Sequence, residues 1–238
     1  MISVCMATYN GERFIKEQID SILLQLSEND ELIISDDGST DKTLCIIKSY
    51  NDSRIKIFYH EKNPAYEKIK HGRNFYYATS NFENALKQAQ GDYIFLSDQD
   101  DIWVSGKIAN CIKELQNNDL ILHNIILFKN SPSDGFKLFN KSPIPQRWFL
   151  NLIKMNFWGC CMCFRKKLLQ EILPIPRCII GHDYWISTIA LKKYKVSFLS
   201  EPLIYHRVHA LSVSDNISNP LWFRILFRFC LFLEIIKK

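Results

Sequence analysis

Short apolar runs alternate with stretches of helical spacing through the first hundred residues. Ile2–Met6, Glu31–Ser35, Ile55–Tyr59 and Tyr93–Leu96 are compact runs that read as strands buried in a sheet. Between them, Glu12–Leu26 places Phe14, Ile15, Ile19, Ile22, Leu23 and Leu26 at helical spacing. Asp41–Tyr50 reads as a second helix, with an acidic first turn behind Ser39 or Thr40 as cap. A third, capped by Ser80, puts Phe82, Ala85, Leu86 and Ala89 on one face before Gly91 ends it. This alternation predicts an α/β fold, a mostly parallel sheet with helices on both sides. The basic stretch from His60 to Arg73 lacks periodicity and reads as a loop.

Beyond Trp103 the pattern changes. Lys107–Leu115 is predicted helical, Leu120–Phe128 and Gly159–Phe164 strand-like, and Lys166–Ile172 a short helix. Residues 130–146, rich in Ser, Pro and Lys, read as a connection. Gly181-His182-Asp183 opens a helix over Tyr184–Leu191, and Val196–Leu199 and Leu203–Val208 read as two late strands. The final stretch, Leu221 to Lys238, is an aromatic, basic helix with Arg224 and Arg228 on one face. It is too short and too charged to span a bilayer and suits burial in a membrane interface; packing on the domain or on a partner chain is the alternative. The expected division is 1–103, a nucleotide-binding half of Rossmann type; 104–216, an acceptor-binding half of the same domain; and 217–238, the amphipathic helix.

Composition narrows this reading. The 238 residues are 47% hydrophobic, ample for a core, and the net charge of +5 is too mild to indicate a nucleic-acid partner. The charge is unevenly spread, with acidic residues gathered at 28–41 and 98–101 and basic ones in the last third. That asymmetry points to a cation-requiring cleft and an anionic surface partner. The eight cysteines are scattered, apart from Cys160, Cys161 and Cys163 in an apolar setting. That cluster reads as buried small hydrophobes, and the cysteine usage fits a reducing cytoplasm better than a disulfide scaffold. With Ile2–Met6 already a strand, no leader is expected at the start.

The candidate chemistry collects at predicted strand ends. Ser97-Asp98-Gln99-Asp100-Asp101 follows the fourth strand, and three carboxylates so close repel unless a cation holds them. A hard divalent ion, Mg²⁺ or Mn²⁺, completing its shell with substrate phosphates, suits that loop; a solvated turn with Asp101 as helix cap is the plain alternative. Asp36-Asp37-Gly38-Ser39 ends the second strand, where a carboxylate can meet a base N–H or a ribose hydroxyl. Neither G-x-G-x-x-G nor a Walker A loop occurs, which disfavours dinucleotide-dependent and phosphate-loop enzymes.

Thr8-Tyr9-Asn10, Asp36-Asp37-Gly38-Ser39-Thr40-Asp41, Gly91-Asp92-Tyr93-Ile94 and Asp98-Gln99-Asp100-Asp101 stand in the order found in glycosyltransferase family 2. Together with Gly159–Phe164, Leu173–Pro176, Gly181-His182-Asp183-Tyr184-Trp185 and Glu201–Tyr205, the chain resembles the rhamnosyltransferase-like bacterial branch of that family over residues 2–215. The resemblance implies a GT-A fold and inverting transfer of a sugar from a nucleotide diphosphate, UDP- or dTDP-linked, to a glycan or polyprenyl-linked acceptor. It implies bacterial surface polysaccharide synthesis at the cytoplasmic, inner face of the plasma membrane. Carried over by motif, Thr8, Tyr9, Asn10, Asp36, Asp37 and Asp98 hold the nucleotide, and Asp100 and His209 the metal. Asp183 is the base that deprotonates the acceptor. Tyr205-His206-Arg207-Val208-His209 is one residue longer than the family's Y-R-x-H, so His206 is the alternative to His209, and Arg207 an alternative contact for the diphosphate. Residues 210–216 lack the glycine expected after the histidine. A non-catalytic member that binds sugar nucleotide or glycan is the rival reading. A nucleotidyltransferase would want a glycine- and base-rich loop at Thr8–Arg13, and a glycosidase needs no nucleotide.

Overall fold

The computed structural model describes residues 1–209 and 219–238. Nine strands form one sheet: β1 (Ile2–Thr8), β2 (Glu31–Asp36), β3 (Ile55–Tyr59), β4 (Tyr93–Ser97), β5 (Ile102–Trp103), β6 (Leu120–Phe128), β7 (Phe136–Lys137), β8 (Met162–Arg165) and β9 (Val196–Arg207). The order is β3-β2-β1-β4-β8-β6-β9-β5, with β7 on β6. Strands β1 to β4 are parallel, β8 runs antiparallel between β4 and β6, β9 is parallel to β6, and β5 closes antiparallel on β9. The sheet therefore continues across residue 103 without a break.

The apolar runs are continuous rather than alternating because both sheet faces are covered. Val4, Cys5, Met6, Leu32, Ile33, Ile34, Ile94, Phe95 and Leu96 are all buried. Helix α1 (Ile15–Leu23) buries Ile15, Ile19 and Ile22, and α3 (Arg73–Gln88) buries Phe82, Ala85 and Leu86. Each such side chain contributes about 1.5–3 kcal/mol by leaving water. Helix α4 (Lys107–Leu115) follows β5, α5 (Leu169–Ile172) follows β8, and α6 (His182–Lys193) precedes β9.

Several boundaries differ from the sequence reading. Helix α1 is shorter than Glu12–Leu26. Helix α2 (Thr43–Ser49) starts late and has no side-chain cap from Ser39 or Thr40. Those residues are drawn into the β2 turn, and Asp41 accepts from the Thr43 N–H instead. Ser80 is not a cap. Helix α3 begins eight residues earlier, after Gly72 in the left-handed conformation, and the Ser80 hydroxyl donates back to the carbonyls of Tyr76 and Tyr77 inside the helix. Residues 159–161 form a 3-10 turn before β8, and Pro64–Lys68 another within the basic loop. The two late strands are one, β9. It carries register shifts opposite His123–Ile126, which let it pass Glu201 and Pro202 without ending. The stretch 210–216 and the boundary at 216/217 lie outside the described residues.

Helix α7 (Leu221–Ile236) packs Phe227, Leu231 and Ile235 inward and leaves Trp222, Ile225, Leu226 and Phe229 exposed. Its neighbour is a 3-10 turn at Trp148–Leu152, where Trp148 stacks on Phe232 with ring centroids 6.2 Å apart. Among the described residues no helix is long and apolar enough to cross a membrane.

Candidate active site

The carboxyl ends of β1, β2 and β4 converge, as parallel sheets require, and three loops meet there. Asp36 ends β2 and is fully buried. Its Oδ1 accepts from the hydroxyls of Thr8 (3.0 Å) and Ser39 (2.6 Å), and its Oδ2 from the N–H groups of Gly38 (3.1 Å) and Ser39 (2.8 Å). Asp36 thus ties the β1 turn to the β2 turn. Asp37 points elsewhere: His60 Nδ1 lies 2.6 Å from Oδ1 and Lys62 Nζ 3.5 Å from Oδ2. Lys62 also sits 3.9 Å from the centre of the Tyr9 ring, which is half exposed. Asn10 adopts φ +48°, and its side-chain oxygen accepts from the Thr40 N–H at 2.9 Å. Thr8, Tyr9, Asn10, Asp36 and Asp37 therefore share one corner. His60 and Lys62 join it from a loop with no sequence pattern to reveal them.

Gln99, the middle residue of the acidic loop, joins that corner to the next. Its carboxamide accepts from the Tyr9 N–H (2.9 Å) and donates to the Tyr9 carbonyl (3.0 Å). No sequence signal marked it. Beyond Gln99 the carboxylates meet the two histidines at the end of β9. Asp100 Oδ2 is 2.8 Å from His209 Nε2, and Asp101 Oδ1 is 2.8 Å from His206 Nδ1. Both histidines named as alternatives therefore face the acidic loop, one per aspartate. Arg207, between them, is paired with Glu17 at 2.6 Å and donates to the Asp100 carbonyl. Asp101 is buried in this ion pair and is not a helix cap.

Burial pushes the Asp98 carboxyl up to about 7, reinforced by the charges of Asp101, Asp100 and Asp183 and opposed by His206. Burial disfavours the charge on His206, but Asp101 beside it overrides this and pushes the group up to about 12. Cys160 adds a thiol close to His206 Nδ1, held protonated by its hydrogen bond with Cys161 and by burial. Beneath the loop lies a fully buried lysine, Lys107, which donates to the Cys160 carbonyl at 3.0 Å and faces the Trp103 ring. Burial lowers its pKa. As the first residue of a helix, it gave no sign in the sequence of being buried.

The donor set fits a divalent cation. One ligand atom each from Asp98, Asp101, Cys160 and His206 lies within 4.8 Å of the others, and the buried Oδ2 of Asp101 has no hydrogen-bond partner. Carboxylates and imidazole with a neutral thiol suit Mg²⁺ or Mn²⁺ better than a thiolate-seeking metal.

Asp183 opens α6. Gly181 at φ +89°, a value that favours glycine, turns the chain and donates its N–H to Thr79 Oγ1 of α3 at 2.8 Å. His182 stacks on Phe82 of α3, with centroids 3.8 Å apart. These contacts fix Asp183, whose Oδ1 accepts from the Tyr184 N–H at 2.9 Å. Burial pushes its carboxyl up to about 7 against those backbone N–H groups. It is close enough to Asp98 for its charge to disfavour that carboxylate.

A sheet of this order, with an acidic loop after β4 and a second half folded back over it, defines a GT-A type sugar-transferase fold. The family model for glycosyl transferase family 2 matches residues 3–173, and the chain belongs to that family. It is similar to the dTDP-rhamnosyl transferase RfbG of Shigella flexneri, 31% identical over 90% of this chain and 75% of that protein. It is also similar to WfgD of Escherichia coli, a UDP-Glc:alpha-D-GlcNAc-diphosphoundecaprenol beta-1,3-glucosyltransferase, 29% identical over 91% of this chain and 80% of that one. Among solved structures, TarS of S. aureus in complex with UDP-GlcNAc superposes with a TM-score of 0.66 at 22% identity. The match covers 98% of this chain and 66% of the TarS chain.

Proposed function

We propose that the protein is a metal-dependent, inverting glycosyltransferase. It moves a sugar from a UDP- or dTDP-linked donor to a lipid-linked or free glycan acceptor, in surface polysaccharide synthesis at the inner face of a bacterial membrane. One observation carries the reading: half-buried Asp183, at the start of α6, stands within electrostatic reach of Asp98, in a cluster where Asp98, Asp101, Cys160 and His206 bring ligand atoms within 4.8 Å of one another.

Asp37 and the Thr8–Asn10 turn hold the nucleoside, with Asp36 positioning both turns. Asp98 faces the ribose side. Asp100 and His209, joined by Asp101 and by His206 once it gives up its proton, would hold a divalent ion, which would supply positive charge for the departing diphosphate. Asp183 takes the proton from the acceptor hydroxyl as that oxygen attacks the anomeric carbon from the face opposite the leaving group. Direct displacement of this kind inverts the configuration. The membrane reading is supported by the exposed apolar face of α7, joined by exposed Phe149, Leu150 and Ile153 and by the cations Arg224, Arg228, Lys237 and Lys238.

The test is a thermal-shift screen against UDP-, dTDP- and GDP-sugars with Mn²⁺ or Mg²⁺, followed by donor turnover. Stabilisation by one nucleotide class that requires the metal, lost in Asp100→Ala, is the expected result. Binding without the metal, or full activity in Asp100→Ala, removes the metal assignment. Donor binding without any turnover would favour a non-catalytic binding protein.

A further inference from the structure

The basic loop ahead of α3 borders a recess of about 410 Å³, lined by Lys68, Lys70, Gly72 and Arg73 with Glu67 as the one acid. Among the described residues, Lys68, Lys70 and Arg73 make no ion pair. Three cations against one acid leave the recess with a net positive charge, which favours an anion.

The recess adjoins both α7 and the approach to Asp183. Gly72 lies so close to α7 that a Cβ there would meet the Phe223 ring at 2.8 Å and Ile180 at 3.5 Å. His71 contacts Trp222 and Phe223, at centroid distances of 5.5 and 5.9 Å. Ile180 leads through Gly181 to Asp183, and Tyr184 packs on Phe227 of α7 with centroids 5.9 Å apart. Arg224 and Arg228 of α7 are near enough to Tyr184 to act on its hydroxyl. Among the described residues neither Arg224 nor Arg228 makes an ion pair, and Arg228 Nη2 reaches the Ile153 carbonyl at 3.4 Å. Arg224, exposed and without an ion pair, has its planar donor edge available for phosphate oxygens, with the Arg228 guanidinium one turn further on. From this corner the exposed side chains of Trp222, Ile225, Leu226 and Phe229 continue along α7.

We propose that this recess, with Arg224 and Arg228, seats the diphosphate of a lipid-linked acceptor, whose hydrocarbon chain lies along the exposed face of α7 and whose sugar reaches Asp183. The proposal deepens the glycosyltransfer reading and rests on it. A soluble glycan would leave the cations unanswered. The donor's diphosphate belongs at the acidic loop, and a nucleotide sugar has no hydrocarbon for α7. A bilayer headgroup would meet the helix face without needing a recess beside the base.

The probe is farnesyl diphosphate, titrated calorimetrically into the full chain with UDP and Mn²⁺ saturating the donor side. It should bind at least tenfold tighter than inorganic pyrophosphate and than farnesol. Lys68→Gln/Lys70→Gln/Arg73→Gln and Arg224→Gln/Arg228→Gln should each weaken it at least tenfold. Lys113→Gln/Lys129→Gln/Lys137→Gln, an equal loss of charge at exposed sites elsewhere, should not, and circular dichroism checks that every variant folds. Equal binding of pyrophosphate, or unchanged affinity in both sets of site variants, overturns the proposal. So does loss of binding to phosphatidylglycerol vesicles with farnesyl diphosphate affinity intact, which would assign the cations to the bilayer. Weakened UDP binding in the lysine variant would assign the loop to the donor and equally overturn it. A separate UDP titration of the wild type keeps the two readings apart. UDP binding without farnesyl diphosphate binding sinks the acceptor site alone, whereas failure to bind UDP sinks the transfer reading.

Discussion

A carboxyl that titrates near 7 can take a proton from a sugar hydroxyl at neutral pH, and burial gives Asp183 that property. The rate should therefore fall about tenfold per pH unit below about 7 and level above it, measured as kcat/KM against pH. Asp183→Asn should cut kcat by about 10²–10⁴-fold, the usual worth of a general base, with donor affinity retained. Equal loss of both would make the residue structural. Stability supplies an independent readout. The folded-state value lies above the ordinary 3.8, so the native protein binds the proton more tightly and loses stability as pH rises from about 4 to about 7. The Asn variant escapes that loss, and its melting temperature should exceed the wild type's at pH 8 but not at pH 4. Gln99 acts by positioning. Its two bonds to Tyr9 hold the Thr8–Asn10 turn against the acidic loop. Gln99→Ala should weaken UDP binding about tenfold, about 1.4 kcal/mol, in a calorimetric titration.

At the level of elements, α7 and the Trp148–Leu152 turn form one unit resting on α6. Asn151, buried in that turn, donates to Ser187 Oγ (3.0 Å) and Thr188 Oγ1 (2.9 Å) of α6. Asn151→Ala should cost about 1–3 kcal/mol in denaturant unfolding, because it leaves buried hydroxyls short of a donor. The outward face of α7 is a separate matter, since Ile225 and Phe229 are exposed and a charge there leaves the core intact. Ile225→Glu/Phe229→Glu should abolish sedimentation with phosphatidylglycerol vesicles while the melting temperature stays near the wild type's. Undiminished sedimentation would count against the interfacial role. The helix carries both readings open in its sequence, with one stripe packed on the domain and another left to solvent.

Across the whole molecule, the site exists because the chain's second half returns to the first. Strand β8 inserts between β4 and β6, and β9 crosses to β5, so Cys160, His206 and His209 arrive beside carboxylates about sixty to a hundred residues earlier in the chain. If that assembly holds a cation, Mn²⁺ with UDP should raise the melting temperature more than either alone. Asp101→Asn, which keeps the shape and removes a charge, should abolish the synergy.

The four parallel strands were legible because a sheet covered on both faces needs unbroken apolar runs, and Val4–Met6 and Leu32–Ile34 are such runs. The acidic loop and the Gly181-His182-Asp183 turn were legible as the end of a strand and the start of a helix, because Gly and Asp punctuate apolar runs. Hidden were the start of α3, where Ser80 imitated a cap, and the continuity of β9, whose bulges accommodate Glu201 and Pro202. The division of labour between Asp36 and Asp37 was likewise undecidable from two adjacent letters; it depends on which carboxylate the Thr8 and Ser39 hydroxyls surround. Nor could spacing say that His206 meets Asp101 while His209 meets Asp100, or that Lys107 is buried. Local pattern determines which segments are apolar and which end in carboxylates. Partners for a buried charge come from distant segments, so only the packed sheet decides them.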